Sequence, residues 1–119
     1  MRPNRYWLFH FACFGCKRSF KRALEAEEFT KVCPNCGASA VRLGRHFKPP
    51  RSSNSAQWKK VRLLAEHGFL FQHVYEGKRG GKRVPYPNTL QEAQVFVVRY
   101  ADQAWRSALA DVRRALDSA

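Results

Sequence analysis

Two Cys-x-x-Cys pairs constrain what this chain can fold into more than any other feature. They are Cys13–Cys16 and Cys33–Cys36, the chain has no other cysteine, and sixteen residues separate the pairs. That separation lies within the roughly 15–20 residues expected of a four-cysteine metal site. Each pair fits on a short turn, and the spacer is long enough for a hairpin to bring the two turns together. We therefore expect the four sulfurs to bind one ion.

Four thiolates leave zinc no open position for water or substrate, so the expected cofactor is one structural Zn²⁺. Iron could occupy the same four sulfurs. A thiol–disulfide redox pair usually lies at a helix start in a βαβ unit, whereas strand-like sequence flanks both pairs here. A pair of disulfides in a secreted protein is a further alternative. Four reduced cysteines suit a reducing compartment, and we expect a cytoplasmic protein.

The sequence around the cysteines predicts an antiparallel hairpin arrangement. Its segments are an aromatic strand at 5–12, a basic strand at 17–22, an acidic tip at 24–28, a return at 29–32 and a closing strand at 40–43. The local pattern Cys-Pro-Asn-Cys-Gly at 33–37 resembles the knuckle of zinc ribbons and rubredoxins. The resemblance covers about residues 5–48 and implies a zinc-ribbon fold. So short a segment cannot bury a self-sufficient core, so metal binding should supply much of its stability.

The second half predicts a small α/β unit, and the whole chain an α+β fold. Ser53 or Ser55 can cap a helix that runs to His67 and stops at Gly68. Thr89 and Glu92 form a capping box that opens a long C-terminal helix. The remaining predicted segments are a strand at 69–75, a glycine-rich basic turn at 76–83, a short return strand at 84–86 and the long helix at 90–117.

Composition shifts along the chain predict three regions. We expect a zinc ribbon at 1–48, a basic linker rich in proline and serine at 49–55, and a helix–strand hairpin–helix unit at 56–119.

The chain is strongly basic, with a formal net charge of +13. Residues 1–60 contain 13 basic and 3 acidic residues, whereas residues 61–119 contain 9 and 6. Such a field favours a polyanionic partner, and a basic domain with clustered Lys and Arg is the usual footprint of a nucleic-acid-binding protein. The candidate nucleic-acid-binding residues lie on the basic strand, the linker and the glycine-rich turn: Lys17, Arg18, Lys21, Arg22, Arg45, Lys48, Arg51, Lys78, Arg79, Lys82 and Arg83.

No catalytic arrangement can be nominated, since every cysteine is assigned to metal and no Ser/His/Asp pattern is present. We expect a non-catalytic protein without a small-molecule substrate or a membrane partner. Separate cationic features suit the irregular phosphate surface of folded RNA, which favours a ribosomal or ribosome-associated protein in contact with rRNA and with ribosomal proteins. The alternatives are a DNA-binding transcription or repair factor and a protein-interaction adaptor that uses the C-terminal helix.

Overall fold

The computed structural model of the protein describes residues 8–23, 28–44, 47–77 and 81–117. Four antiparallel strands form one sheet in the order β2-β1-β4-β3. The strands are β1 (Leu8–Cys13), β2 (Arg18–Ala23), β3 (Thr30–Val32) and β4 (Ser39–Leu43). The helices are α1 (Ser55–Glu66), α2 (Leu90–Arg99) and α3 (Leu109–Asp117). The predicted order of an antiparallel sheet followed by helices, with one at the C-terminal end, is confirmed.

Side chains alternate between the two faces of the sheet, and the helices cover one of them. Ala12, Val41 and Leu43 on that face are buried in a cluster with side chains of α1 and α3. The other face buries Phe11 and Cys13 in a separate, smaller cluster. Residues on both sides of the predicted linker therefore share one core. The division of the chain into regions at 48 and 55 remains a prediction.

The N-cap of helix α1 lies one residue away from either predicted cap. Asn54 is its N-cap, and its side chain accepts a hydrogen bond from the backbone N–H of Gln57. Asparagine and serine are about equally good caps, so composition could not choose between neighbouring positions. The predicted stop at Gly68 is confirmed, because Gly68 follows the helix with a φ of +87°. The Thr89 cap of α2 is confirmed as well, since its hydroxyl accepts from the N–H of Glu92 at 3.1 Å.

The predicted strand at 69–75 is wrong, and so is the return strand at 84–86. The only pairing there, within the described residues, is a single bridge between Tyr75 and Arg83. Side-chain amides satisfy this backbone instead: Gln72 Oε1 accepts from the Leu70 N–H, and Gln103 bonds both backbone groups of Tyr75. Prolines at 85 and 87 also remove donors that a ladder would need.

The prediction of a single helix at 90–117 is also wrong. Helix α2 ends at Arg99, and two short 3₁₀ turns and then α3 follow it. Ala104 is extended, and the Trp105 N–H donates to the Gly68 carbonyl at 2.9 Å. One straight helix of that span would be about 42 Å long at 1.5 Å per residue, longer than the 39 Å maximum extent of the molecule. The break lets the apolar stripe of α2 pack on Phe69 and that of α3 pack on the sheet.

None of the helices in the described ranges is long and apolar enough to span a lipid bilayer.

Candidate metal centre and nucleic-acid interface

The four cysteine sulfurs meet at one end of the sheet. Their Sγ atoms all lie within 4.8 Å of one another, and those of Cys13 and Cys36 are 3.6 Å apart. Cys13 ends β1 and Cys33 follows β3, so the antiparallel strands between them bring two distant turns together. None of the four is in a disulfide. The arrangement could hold one metal ion, as the spacing predicts.

Both cysteine turns reverse the chain through a residue with a left-handed backbone conformation. The residue that follows the second cysteine of each pair is left-handed, with a φ of 55° at Lys17 and 78° at Gly37. The Gly37 N–H donates to the Cys33 carbonyl at 2.9 Å, which closes the second turn. A lysine in this conformation costs about 1–2 kcal/mol relative to its usual backbone. Its Nζ donates to Ser55 Oγ at 2.9 Å, which ties the first knuckle to the start of α1.

Burial and hydrogen bonds shift the pKa values of Cys13 and Cys33 in opposite directions. Burial raises the pKa of the Cys13 thiol to about 12, so this sulfur is neutral without a bound positive charge. Burial also raises the pKa of Cys33, but hydrogen bonds from the backbone N–H groups of Cys36 and Asn35 outweigh it and lower the pKa to about 7. Asn35 Nδ2 donates to Cys16 Sγ at 3.3 Å, which links the two knuckles through a non-ligand side chain.

Four of the predicted nucleic-acid-binding residues cluster on the edge strand β2 and the turn before it. Arg18, Lys21 and Arg22 are exposed, and Arg18, Phe20 and Arg22 alternate onto one face. The Arg22 guanidinium lies 5.1 Å from the centre of the Phe20 ring. We call Lys17, Arg18, Phe20, Lys21 and Arg22 the β2 surface.

The positive charge of the β2 surface is not balanced locally. Residues 8–23 contain no Asp or Glu, and none of the ion pairs among the described residues involves these four cations. Lys21 lies directly across from His10 on β1. Burial lowers the pKa of His10, and the charge of Lys21 lowers it further, so His10 adds no positive charge at neutral pH.

Two further predicted residues, Lys48 and Arg83, line one cavity of about 460 Å³. Lys60 of α1 also lines it, together with the rings of Phe47, Phe71 and Tyr86. We call this site the aromatic cavity. Sequence reasoning missed Lys60, Phe71 and Tyr86 as site residues, because they come from separate segments. The segment Pro85-Tyr86-Pro87 is a local sign of a site, since prolines on both sides hold an aromatic residue in a stiff loop.

The remaining predicted residues do not join these sites in the described part of the chain. Arg51 is exposed, and its carbonyl accepts from Trp58 Nε1 at 3.0 Å. Lys82 is exposed, and its carbonyl accepts from the Glu76 N–H. The predicted residues Arg45, Lys78 and Arg79 lie outside the described residues.

Phe71 has a strained backbone at the wall of the aromatic cavity. Its φ of 65° lies in the left-handed region, which costs a non-glycine residue about 1–2 kcal/mol. The end of β4 holds it there, since the Gly44 N–H donates to the Leu70 carbonyl at 2.8 Å. A Cβ on Gly44 would lie 2.5 Å from the Phe71 carbonyl oxygen. Gly44 is thus the position that permits this close approach.

We expect Gly44→Ala to lower the free energy of unfolding by about 1–3 kcal/mol, as overpacking does, because the obstructing atom belongs to the backbone. Urea unfolding followed by circular dichroism measures this change. Ser107→Ala, at an exposed 3₁₀ turn, is the control and should stay within about 0.5 kcal/mol of the parent. Equal midpoints for the parent and Gly44→Ala would contradict the close approach.

Comparison with known protein families, with curated proteins and with solved structures finds no match to this chain.

Proposed function

We propose that this chain is a non-catalytic zinc-ribbon protein that binds structured RNA through the β2 surface. The observation that carries the proposal is the unbalanced positive charge of this exposed edge strand, with an aromatic ring between two arginines. Lys and Arg attract phosphates without regard to sequence, and an aromatic side chain can stack on an unpaired base. The cations of the β2 surface could therefore contact the phosphate of a nucleotide, and the Phe20 ring could contact its base.

Zinc is the ion we assign to the four cysteines, and its role is structural. A tetrahedral site with Zn–S bonds of about 2.3 Å places its sulfurs about 3.8 Å apart, which agrees with the 3.6 Å between Cys13 and Cys36. Thiolate sets of this kind suit zinc or iron. The backbone N–H groups that donate to Cys33 favour its thiolate form. When bound, the ion cross-links the two knuckles and thereby holds β1, β2 and β4 in register.

RNA is favoured over duplex DNA because the cations come from separate segments of the chain. The β2 surface and the cations of the aromatic cavity, Lys48, Lys60 and Arg83, come from different parts of the chain. An irregular phosphate surface such as that of folded ribosomal RNA can contact both sites at once. Folded RNA also offers unstacked bases, which aromatic side chains can bind.

We expect the zinc-loaded protein to bind a folded ribosomal RNA hairpin with an unpaired loop more tightly than a DNA duplex of equal length at the same salt. Fluorescence anisotropy at several salt concentrations measures both affinities, and the logarithm of the RNA affinity should fall steeply with the logarithm of salt. A fully paired RNA duplex with the sequence of the hairpin stem is the matched control for the loop. Tighter binding to the DNA duplex would favour a transcription or repair factor, and no salt-dependent binding to either would overturn the proposal.

A further inference from the structure

The aromatic cavity has the size and the lining of a small-molecule site. Its volume of about 460 Å³ lies within the roughly 300–1,000 Å³ typical of ligand pockets. It forms where the chain after β4, helix α1 and the irregular segments at 71–73 and 83–88 meet. Sites of this kind combine apolar walls with a few polar groups that fix the orientation of the ligand.

Three rings form one wall, and their positions are fixed by contacts within the fold. Phe47 and Phe71 have their ring centres 4.9 Å apart, and Phe71 stacks on Tyr86 at 4.6 Å with an interplanar angle of 17°. The Tyr86 hydroxyl donates to the Gln72 carbonyl at 2.8 Å, and the His10 ring packs edge-on against Phe47. Because the fold already orders these rings, a planar ligand would meet a preformed surface.

Three cations from three segments line the same cavity without carboxylate partners. Lys48, Lys60 and Arg83 take part in none of the ion pairs within the described residues. Lys60 is half-buried, and its Nζ donates to the neutral Gln57 Oε1 at 2.6 Å. Burial lowers the pKa of Lys60, and the more distant Glu92 offsets this only in part. An anion in the cavity would compensate a charge that is partly withdrawn from water.

Arg83 contacts a histidine at the rim of the cavity. Its Nη1 lies 3.2 Å from His73 Nε2. Since a guanidinium can only donate, Nε2 is the acceptor in this contact. One of the five N–H groups of Arg83 is used in this way, so others can bind a planar anionic group such as a phosphate.

We propose that the aromatic cavity binds one nucleotide, with the base against Phe71 and Tyr86, which Phe47 supports from the core, and the phosphate between Lys48, Lys60 and Arg83. The shared chemistry is a flat heterocycle joined to a phosphate, which a free mononucleotide and an unstacked nucleotide of single-stranded RNA both carry. Only the RNA source depends on the function proposed above. Adenine is the first base to test because purines offer the larger stacking area.

The test titrates the full-length zinc-loaded protein with AMP, adenosine, inorganic phosphate and the single-stranded tetranucleotide of adenylate, by calorimetry. AMP or the tetranucleotide should bind at least tenfold more tightly than adenosine or phosphate alone. Lys60→Met keeps the aliphatic stem and should weaken that binding about tenfold. Lys59→Met removes the same charge from an exposed neighbour on α1 and should change it less than twofold.

The pattern of losses identifies the source of the nucleotide. An effect of Lys60→Met on AMP identifies free nucleotide, and an effect confined to the tetranucleotide identifies RNA. Equal effects of Lys60→Met and Lys59→Met on both ligands would overturn the proposal, as would AMP and tetranucleotide that bind no better than phosphate. Tyr86→Leu is a second variant with the same expected loss, and thermal melting of each variant verifies that it is folded. Variants of the β2 surface should leave AMP binding unchanged. The nucleotide proposal and the proposed RNA binding by the β2 surface can therefore be contradicted independently.

Discussion

With zinc bound as proposed, removal of the ion should unfold the whole protein, and not only its first half. Apparent binding free energies of structural zinc are about 10–16 kcal/mol, which is comparable to the roughly 5–15 kcal/mol stability of a typical domain. Ala12, Val41 and Leu43 of the sheet share a buried cluster with α1 and α3. We therefore expect chelation to abolish the sheet signals and to destabilise both of these helices. Circular dichroism and NMR amide spectra with and without a strong chelator measure the change.

A single ligand substitution should have the same effect. Cys13→Ser removes a buried ligand and should give a chain that stays unfolded at all practical zinc concentrations. Ser52→Ala, at an exposed turn position, should fold like the parent, with one metal ion per chain. Asn35→Ala should fold but lose about 10–100-fold in metal affinity, as is typical when a group that hydrogen-bonds a metal ligand is removed. A chelated or Cys13→Ser protein with an unchanged amide spectrum would show that the sulfur cluster is not what stabilises the fold.

Neutralising the β2 surface should remove most of the RNA affinity. The triple variant R18Q/K21Q/R22Q takes away three exposed cations. Each phosphate contact with a single strand contributes about 0.7 to the slope of log affinity against log salt, so the slope should fall by about 2. At moderate salt, we expect the affinity for a single-stranded or looped RNA to fall by at least tenfold, which is about 1.4 kcal/mol. Anisotropy titrations at four or more salt concentrations provide both numbers.

The control for this variant carries the same change of net charge elsewhere. R99Q/R106Q/R114Q also removes three exposed arginines, on α2, the second 3₁₀ turn and α3. It should lower the affinity slightly and leave the salt slope within about 0.5 of the parent. Equal slopes for the two triple variants would exclude the β2 surface as the RNA site.

Basic residues on an edge strand have a second possible role, because charge there prevents pairing with the edge of another chain. Light scattering separates the two roles. If R18Q/K21Q/R22Q self-associates and keeps its RNA affinity, edge protection explains these charges and RNA binding by this strand is wrong.

What the sequence predicts well depends on local chemistry. The spacing of Cys13, Cys16, Cys33 and Cys36 predicted a cluster because two short turns and a hairpin are enough to form it. The strands around it, helix α1 and the Thr89 cap followed from patterns that span only a few residues. In each case the interactions that form the element lie within the element or beside it.

The errors all involve partners that are distant in the chain. Residues 69–75 have the composition of a strand, but Gln103 bonds the backbone of Tyr75 from 28 residues away. The alanine-rich segment after Thr89 has a helical pattern throughout, but the Gly68 carbonyl accepts from Trp105 and helps to fix the break. The aromatic cavity combines four segments, so its lining could not be read from any one of them. Periodicity does not report such contacts.

The position of α3 also determines when during synthesis the protein can finish folding. The cysteine turns lie within the first forty residues, so an ion can bind as soon as both have left the ribosome. The sheet face that carries Val41 and Leu43 is buried by Val112 and Leu116, about seventy residues later in the chain. Until α3 has emerged, a nascent chain therefore lacks the α3 side chains that cover this face of the sheet. A helper that protects apolar faces would act in this interval.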